Sequence, residues 1–528
     1  MYFQEEFSKE ETKILLNHFT NVDKPVFCLI NMPEVVKGAL YARYSRSSKS
    51  LRRLFLDEFW SEGNLNTAIE IDSSKAENLY ERVFTQYGDD SVAQLGSAHL
   101  ACEQSSNILT KILEWGRIAS YLEQSTRYIY YDQKIGDKFR YITPPELENS
   151  YIKDEYNETM DSIFETYSKV VRSLVDIYKE EFPRDESVST QAYNGTIRAK
   201  ACDVARYFLP TSTISNVGMF ASGQAYEHML LKMRIHKSEE VRNYANMILV
   251  ELRKVIPSFL KRVDVENRGV EWSNYLKDNQ ENIENYVLKN LDNSPSKSPE
   301  VKLVEYEDDA ERKIAAYCLY SSSQKSVEEL KKIVSKMPQE EIKNILNSYT
   351  GNRKNRRHKP GRAFENSYYT FDILSDYGSF RDLQRHRLMT IEWQKMNPEL
   401  GFNFPDEIKK TKYEKECRDL VIKSKNLYEK LSKDYPHLKD YALLFGHNIR
   451  YSITLNLRQA FHLIELRTAK QGHISYRKVC MQMHDQIRDI AKHENFYNLM
   501  NYTDHEEYEL QRLDSEVKQA KKENLTNS

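Results

Sequence analysis

The chain has 528 residues, with 77 Lys and Arg against 79 Asp and Glu, and a formal net charge of −2 at pH 7. Such a length exceeds one ordinary hydrophobic core and implies two or three domains, while the near-even charge provides no global field for nucleic acid or an anionic membrane. With a mean hydropathy of −0.72, no apolar run of bilayer length, an acidic start unlike a targeting peptide and six scattered cysteines without a CxxC pair, the expectation is a reduced, cytoplasmic, helix-rich globular protein.

Residues 1–30 read as a short helix followed by an apolar strand, Pro25 to Ile30. The stretch Gly38–Phe55 returns near Ala315–Val334. Tyr41, Tyr44, Ser45, Ser47, Lys49 and Ser50 coincide with Tyr317, Tyr320, Ser321, Ser323, Lys325 and Ser326 at one offset of 276. So many ungapped identities in a short window indicate a tandem duplication. From Ala101, the spacing of Ile108, Leu109, Ile112 and Leu113 predicts a helix running into EWGRIASYLEQSTRY, Glu114–Tyr128. If the end of that stretch is extended, Glu123, Ser125 and Arg127 project to one face. An acceptor, a hydroxyl and a guanidinium together suit a small planar anion, although a surface strand with an ion pair has the same composition.

Residues 151–180 predict an amphipathic helix on Ile163, Tyr167, Val170, Val171 and Leu174. Asp292–Pro299 has linker composition, giving expected copies at 1–292 and 300–502 and a charged tail at 503–528 that frays. In the second copy Arg353–Arg362 is strongly basic, either a solvated loop or a phosphate contact. Asn456–Arg467 predicts a helix with Leu457, Ala460, Phe461 and Ile464 as its apolar stripe and Arg458, His462 and Glu465 on its polar face. Taken alone, His462 or His386 is more often structural than functional. No metal-ligand spacing, P-loop, dinucleotide glycine motif or Ser/His/Asp pattern stands out.

Several of these stretches resemble the signature motifs of the flavin-dependent thymidylate synthases. Ile118–Ser120 and Glu123–Tyr128 match the close of a signature that runs RHR, three residues, Ser or Thr, then E-x-S-x-R-Y. Its opening is replaced here by Trp115, Gly116 and Arg117, whereas Arg385, His386 and Arg387 supply RHR in the second copy. Ala201–Thr213 resembles the A-R-x-x-L-P element, with Arg206, Leu209 and Pro210 in register. Phe364–Glu365 keeps the end of a flavin-side loop whose first-copy version, Tyr87–Gln94, carries Asp89 in place of the usual His. Asn456–Arg467 resembles the family's late helix, of which Gly223–Arg234 retains only the terminal Arg234.

The resemblance implies an α/β (α+β, helix-rich) fold in two tandem thymidylate synthase-like copies. It implies conversion of dUMP to dTMP with methylenetetrahydrofolate as carbon donor and FAD reduced by NADPH, without a cysteine nucleophile. By the same resemblance Glu123, Ser125, Arg127 and Arg206 would bind the nucleotide. Glu365, Arg385, His386, Arg387, Asn456, Arg458 and His462 would bind the flavin, and Arg234 and Arg467 would polarise the pyrimidine. Because each motif lost from one copy is kept in the other, the first copy is expected to hold nucleotide and the second flavin. Two chains would then form a homodimer mimicking the family's homotetramer. A flavin enzyme acting on another pyrimidine nucleotide, or a non-catalytic nucleotide-binding protein, are the alternatives left by Trp115, Gly116 and Asp89.

Overall fold

The computed structural model describes residues 2–32, 47–60, 97–292, 294–296 and 300–510, together with 40, 44, 512, 513 and 517. The stretch Tyr87–Gln94 lies outside these residues, as do Tyr41 and Ser45 of the repeat. The first copy contributes strands β1 (Val26–Leu29), β2 (Ser97–Ser106), β3 (Ala119–Glu123) and β4 (Ile214–Ser222), antiparallel in the order β1-β2-β4-β3. The second contributes β5 (Val301–Glu305), β6 (Tyr368–Asp376), β7 (Thr390–Trp393) and β8 (Asn448–Asn456), again antiparallel and in the matching order β5-β6-β8-β7. The same sheet is built twice. Along the first copy run helices α1 (Lys9–His18), α2 (Asn107–Leu113), α3 (Lys153–Glu181), α4 (Thr190–Ala205), α5 (Gly223–Arg234) and α6 (Glu239–Arg253). Along the second run α7 (Tyr377–Gln384), α8 (Glu414–Asp434), α9 (Leu457–Arg467), α10 (Ile474–Asp489) and α11 (Glu494–Leu499). No helix among the described residues is long and apolar enough to cross a membrane.

Four times a central strand ends on the residue that caps the next helix. Ser106, Ser222, Asp376 and Asn456 accept from the backbone N–H three positions on, at 3.0, 3.4, 2.8 and 2.8 Å. Each short polar side chain satisfies an N–H that the first helical turn leaves without a partner, so it sets where the helix starts. This corrects the helix predicted from Ala101. Ala101, Cys102 and Ser105 pair with β4, and helix begins only after Ser106. β2 also carries a bulge between Cys102 and Ser105, where Gln104 takes a positive φ of 56° and its N–H donates to Asn216 Oδ1 at 3.0 Å.

The caps also correct a register. Ser222 of α5 and Asn456 of α9 are equivalent, 234 positions apart, which matches His228 with His462 and Met233 with Arg467. Arg234 falls one residue beyond, and its side chain donates to Asn246 of α6 at 3.3 Å. It is not the counterpart of Arg467.

Period-two alternation places the core of the first copy on both faces of its sheet. Val26 and Cys28 pack with β2, β4, α5 and α6, while Phe27 and Leu29 pack with α1 and Leu51, Leu54 and Phe55. Packing divides the chain into two units: Met1–Arg172 with Phe208–Ser294 and Thr411–Leu444, and Ser173–Tyr207 with Pro295–Lys410 and Phe445–Ser528. Each unit thus takes a helical segment from the other sequence copy. In the first unit Thr211 N–H donates to Leu443 O at 2.7 Å, and Tyr441 Oη donates to buried Glu240 at 2.5 Å. In the second, Gly446 N–H donates to Tyr207 O at 2.9 Å.

Ser106 serves two partners at once, since its hydroxyl and N–H both donate to Glu240 at 2.8 Å while it caps α2. Ser106→Ala is therefore expected to lower the unfolding free energy by about 1–3 kcal/mol, read by denaturant titration. A cost within experimental error would show that the cap and the Glu240 contact carry nothing.

Candidate functional site

The basic and imidazole groups singled out in the second copy converge inside the second unit. Helical spacing puts Arg458 and His462 on one face of α9, with Arg467 closing its last turn. The end of α7 turns at Arg385, which is its C-cap, and brings His386 to α9. Arg467 Nε donates to His386 Nε2 at 2.8 Å. His386 therefore accepts on Nε2 and carries its proton on Nδ1. The His386 ring meets His462 edge-on with centroids 5.3 Å apart. Arg467 Nη1 lies 3.8 Å from Asp382 Oδ1, and Arg206 Nη1 donates to Asp382 Oδ2 at 3.4 Å. Arg206, Asp382, Arg467, His386 and His462 form one continuous chain of contacts.

Arg206 is only 2% exposed, and its Nη2 is buried with no hydrogen-bond partner. Gly378 lets it approach, because a Cβ there would sit 3.4 Å from Nη2 and 3.0 Å from Asp376 Oδ1. A buried guanidinium nitrogen without an acceptor is costly, and a phosphate oxygen is the acceptor its geometry suits. A second layer surrounds this chain. Arg458 Nε donates to Pro360 O at 2.8 Å and Nη1 to Glu365 Oε1 at 3.2 Å, while Glu365 Oε2 accepts from Arg362 Nε at 3.2 Å. Glu365 thereby ties the basic loop to α9. Arg387 is partly exposed and makes no hydrogen bond or ion pair among the described residues.

The loop's charge reaches the helix. Burial first, then Lys359, Arg356, Arg467 and Arg458, push the His462 imidazole down to about 4. Burial, Arg467, His462 and Lys359 hold His386 well below its ordinary value. Burial together with Arg458 and Arg356 also pulls the Lys359 ammonium down. Asp382 and Glu365 are each shared by two arginines, so the cluster carries excess positive charge and suits a phosphate-bearing ligand such as a nucleotide or a flavin nucleotide.

Both imidazoles take up protons less readily in the folded chain than in the unfolded one. The stability they allow is complete above pH 6.5 and declines as pH falls below it, for His462 down to about 4. His462→Gln removes one of these groups, so the stability lead of the parent chain over that variant should shrink as the medium is acidified. Unfolding titrations across this window check it; a constant lead would mean that His462 titrates alike in both states.

Other expected residues take different places. Asn456 spends its Oδ1 on capping α9. Glu465 shares the helix face of Arg458 and His462 but is buried there against Arg353, which reaches it through Nη1 at 2.7 Å and Nη2 at 2.5 Å. In the first unit Glu123 closes β3, but Ser125 and Arg127 lie in a turn in which Tyr128 N–H donates to Ser125 O at 3.3 Å. Ser125 Oγ accepts from Arg127 N–H at 3.3 Å, so the three do not project from one strand face. Glu123 is fully buried and 3.4 Å from Lys111 Nζ, which also donates to Glu114 at 2.6 Å. Arg206 belongs to the second unit and these three to the first. The residue that sequence reading missed is Asp382; its one signal is an acid one helical turn before His386.

Comparison with known proteins places this geometry in a family. The family model described as "Thymidylate synthase complementing protein" matches residues 37–258 and again 302–491. A UPF0159 protein of Chlamydia muridarum is 37% identical over 97% of this chain and 98% of its own length. A UPF0159 protein of Thermoplasma acidophilum is 28% identical over 91% of this chain and 98% of its own length. A flavin-dependent thymidylate synthase of Clostridium tetani is 29% identical over 36% of this chain and 71% of its own length. Two matched segments, two sheets of one topology and four equivalent caps agree: the chain belongs to the thymidylate synthase complementing protein family, as two copies of its domain in tandem.

Proposed function

We propose that the protein is a flavin-dependent thymidylate synthase that forms dTMP from dUMP, with methylenetetrahydrofolate as carbon donor and FAD reduced by NADPH. The observation that carries this reading is the chain Arg206–Asp382–Arg467–His386, which sets two guanidinium groups around one carboxylate beside a neutral imidazole. Reduced flavin, when bound, supplies the hydride that completes the new methyl group. Arg206 offers its unpartnered Nη2 to the nucleotide phosphate. Arg467 is held by His386 and Asp382 with its guanidinium oriented, so charge developing on a pyrimidine oxygen meets a donor already in place. Lys359, Arg356 and Arg387 supply the field for the cofactor's phosphates, and Glu365 positions Arg458 among them. Burial pushes the thiols of Cys318, Cys417 and Cys480 up to about 12, which suits chemistry that does not attack through sulfur.

The alternative of another pyrimidine nucleotide has one specific support: Glu123, expected among the nucleotide contacts, already lies against Lys111. Arg206→Ala tests the main reading at the binding step. Loss of a charge-assisted phosphate contact should weaken dUMP binding by about tenfold to a hundredfold, measured by calorimetry. Unchanged affinity would remove Arg206 from the nucleotide site.

A further inference from the structure

His484 and Asp485 lie on α10, and His505 lies in the segment that follows α11. We propose that these three side chains form a structural site for a borderline transition-metal ion such as Zn2+, which fastens the segment around His505 to α10. One ligand atom from each lies within 4.8 Å of the others, and His484 Nδ1 is 2.9 Å from His505 Nε2.

The local contacts aim these atoms. His484 Nε2 donates to the Tyr497 carbonyl oxygen at 3.1 Å, which holds the ring proton on that nitrogen and presents the Nδ1 lone pair toward His505. A carbonyl behind a ligating imidazole is the usual support for such a ligand. The His484 ring also stacks on Tyr497, with centroids 3.9 Å apart and planes 14° from parallel. Without an ion, His505 Nε2–H donates to His484. With one, the His505 proton moves to its own Nδ1, and both lone pairs face the metal with no net change in protons.

Asp485 supplies the third ligand. Arg488 Nη2 lies 3.5 Å from Asp485 Oδ1, but Arg488 is held more closely by Asp489, at 2.7 and 3.1 Å. That leaves the Asp485 carboxylate available. Two imidazoles and one carboxylate favour Zn2+, Co2+ or Ni2+ over Mg2+ or Ca2+. His484 is buried and His505 exposed, so water can fill a remaining position and the ion has a way in.

The residues flanking His505 are already pinned, and the expectation that the tail frays from Thr503 does not hold for them. Fully buried Arg477 donates through Nη2 to Glu506 O at 2.8 Å and Asp504 O at 3.3 Å, and Asp504 N–H donates to Thr468 Oγ1 at 3.1 Å. Little ordering entropy remains to be lost when the ion binds.

The test uses untagged full-length protein stripped with a chelator and titrated with Zn2+ by calorimetry and with Co2+ by visible absorption, beside His505→Ala. Exposed His505 can be truncated without opening the core. Saturable binding of a single ion per chain is expected, with ligand-field bands for Co2+ and a higher thermal midpoint with Zn2+. His505→Ala should weaken binding by about tenfold or more and lose the thermal gain. No saturable binding to the parent chain, or equal binding by His505→Ala, overturns the proposal.

Discussion

Arg467→Ala should slow dTMP formation by about two to three orders of magnitude, with flavin content and circular dichroism unchanged. The side chain is partly exposed and sits in the last turn of its helix, so its truncation removes little packing. What is lost is a guanidinium fixed at two points, His386 Nε2 at 2.8 Å and Asp382 Oδ1 at 3.8 Å. Preorganisation is the essential property, because a donor that must first rotate into place gives part of its stabilisation back. Arg467→Lys separates charge from geometry. An ammonium keeps the charge but lacks the forked donor that reaches His386 and Asp382 together, so the lysine variant should remain within about tenfold of the alanine variant. Single-turnover rates provide the comparison. Restoration of the parent rate by lysine would mean that net charge alone suffices and that the His386 contact is incidental.

The largest effect on stability is expected from Glu465→Ala, about 3–5 kcal/mol. Arg353 and Glu465 have side chains only 2% exposed, and two parallel donors join them. Arg353 also donates through Nε to His358 O and through Nη1 to Leu499 O at 3.0 Å, while Tyr502 Oη donates to Arg353 O at 2.7 Å. Removing the carboxylate leaves a buried guanidinium short of its counter-charge, which costs far more than the pair contributes against an apolar substitute. The double change Arg353→Met with Glu465→Leu should accordingly recover more than half of the loss. Because Arg353 anchors the start of the basic loop, the single variant should also bind flavin more weakly, and the double variant should not restore that. Denaturant unfolding and flavin titration of both proteins measure the two effects; a single variant as stable as the parent would contradict the assignment.

How much of this was legible in the sequence depended on whether a feature is local. The duplication was legible because the serines and tyrosines near residue 45 recur at a fixed offset, and the structure repeats the sheet order and caps accordingly. The α9 stripe was legible because Leu457, Ala460, Phe461 and Ile464 keep helical spacing, and all four are buried. Ala101–Ser106 misled for a physical reason. Both faces of β2 are covered, so its residues do not alternate between apolar and polar, and a short run of that kind reads equally as helix. The comparison of Gly223–Arg234 with Asn456–Arg467 slipped by one because the cap changes from Asn to Ser, which a search for identical letters does not register.

The site was legible in its motifs and not in its partnerships. Arg385–Arg387, Arg458 and Glu365 could be found in register, but their neighbours across the fold could not. Asp382 joins Arg206 to Arg467 over a long stretch of chain, and Lys111 lies against Glu123 only once α2 and β3 have folded. The exchange of helical segments between units was invisible for the same reason. Amphipathic periodicity says that a helix buries one face, not which sheet it is buried on.

The measurement that tests the central claim most directly is dTMP formation by purified protein supplied with dUMP, FAD, NADPH and methylenetetrahydrofolate, with Arg467→Ala as the matched control. The expected result is dTMP that requires every one of the four components and falls away in the variant. Flavin bound and reduced by NADPH, but no dTMP from dUMP at any folate concentration, would contradict the account.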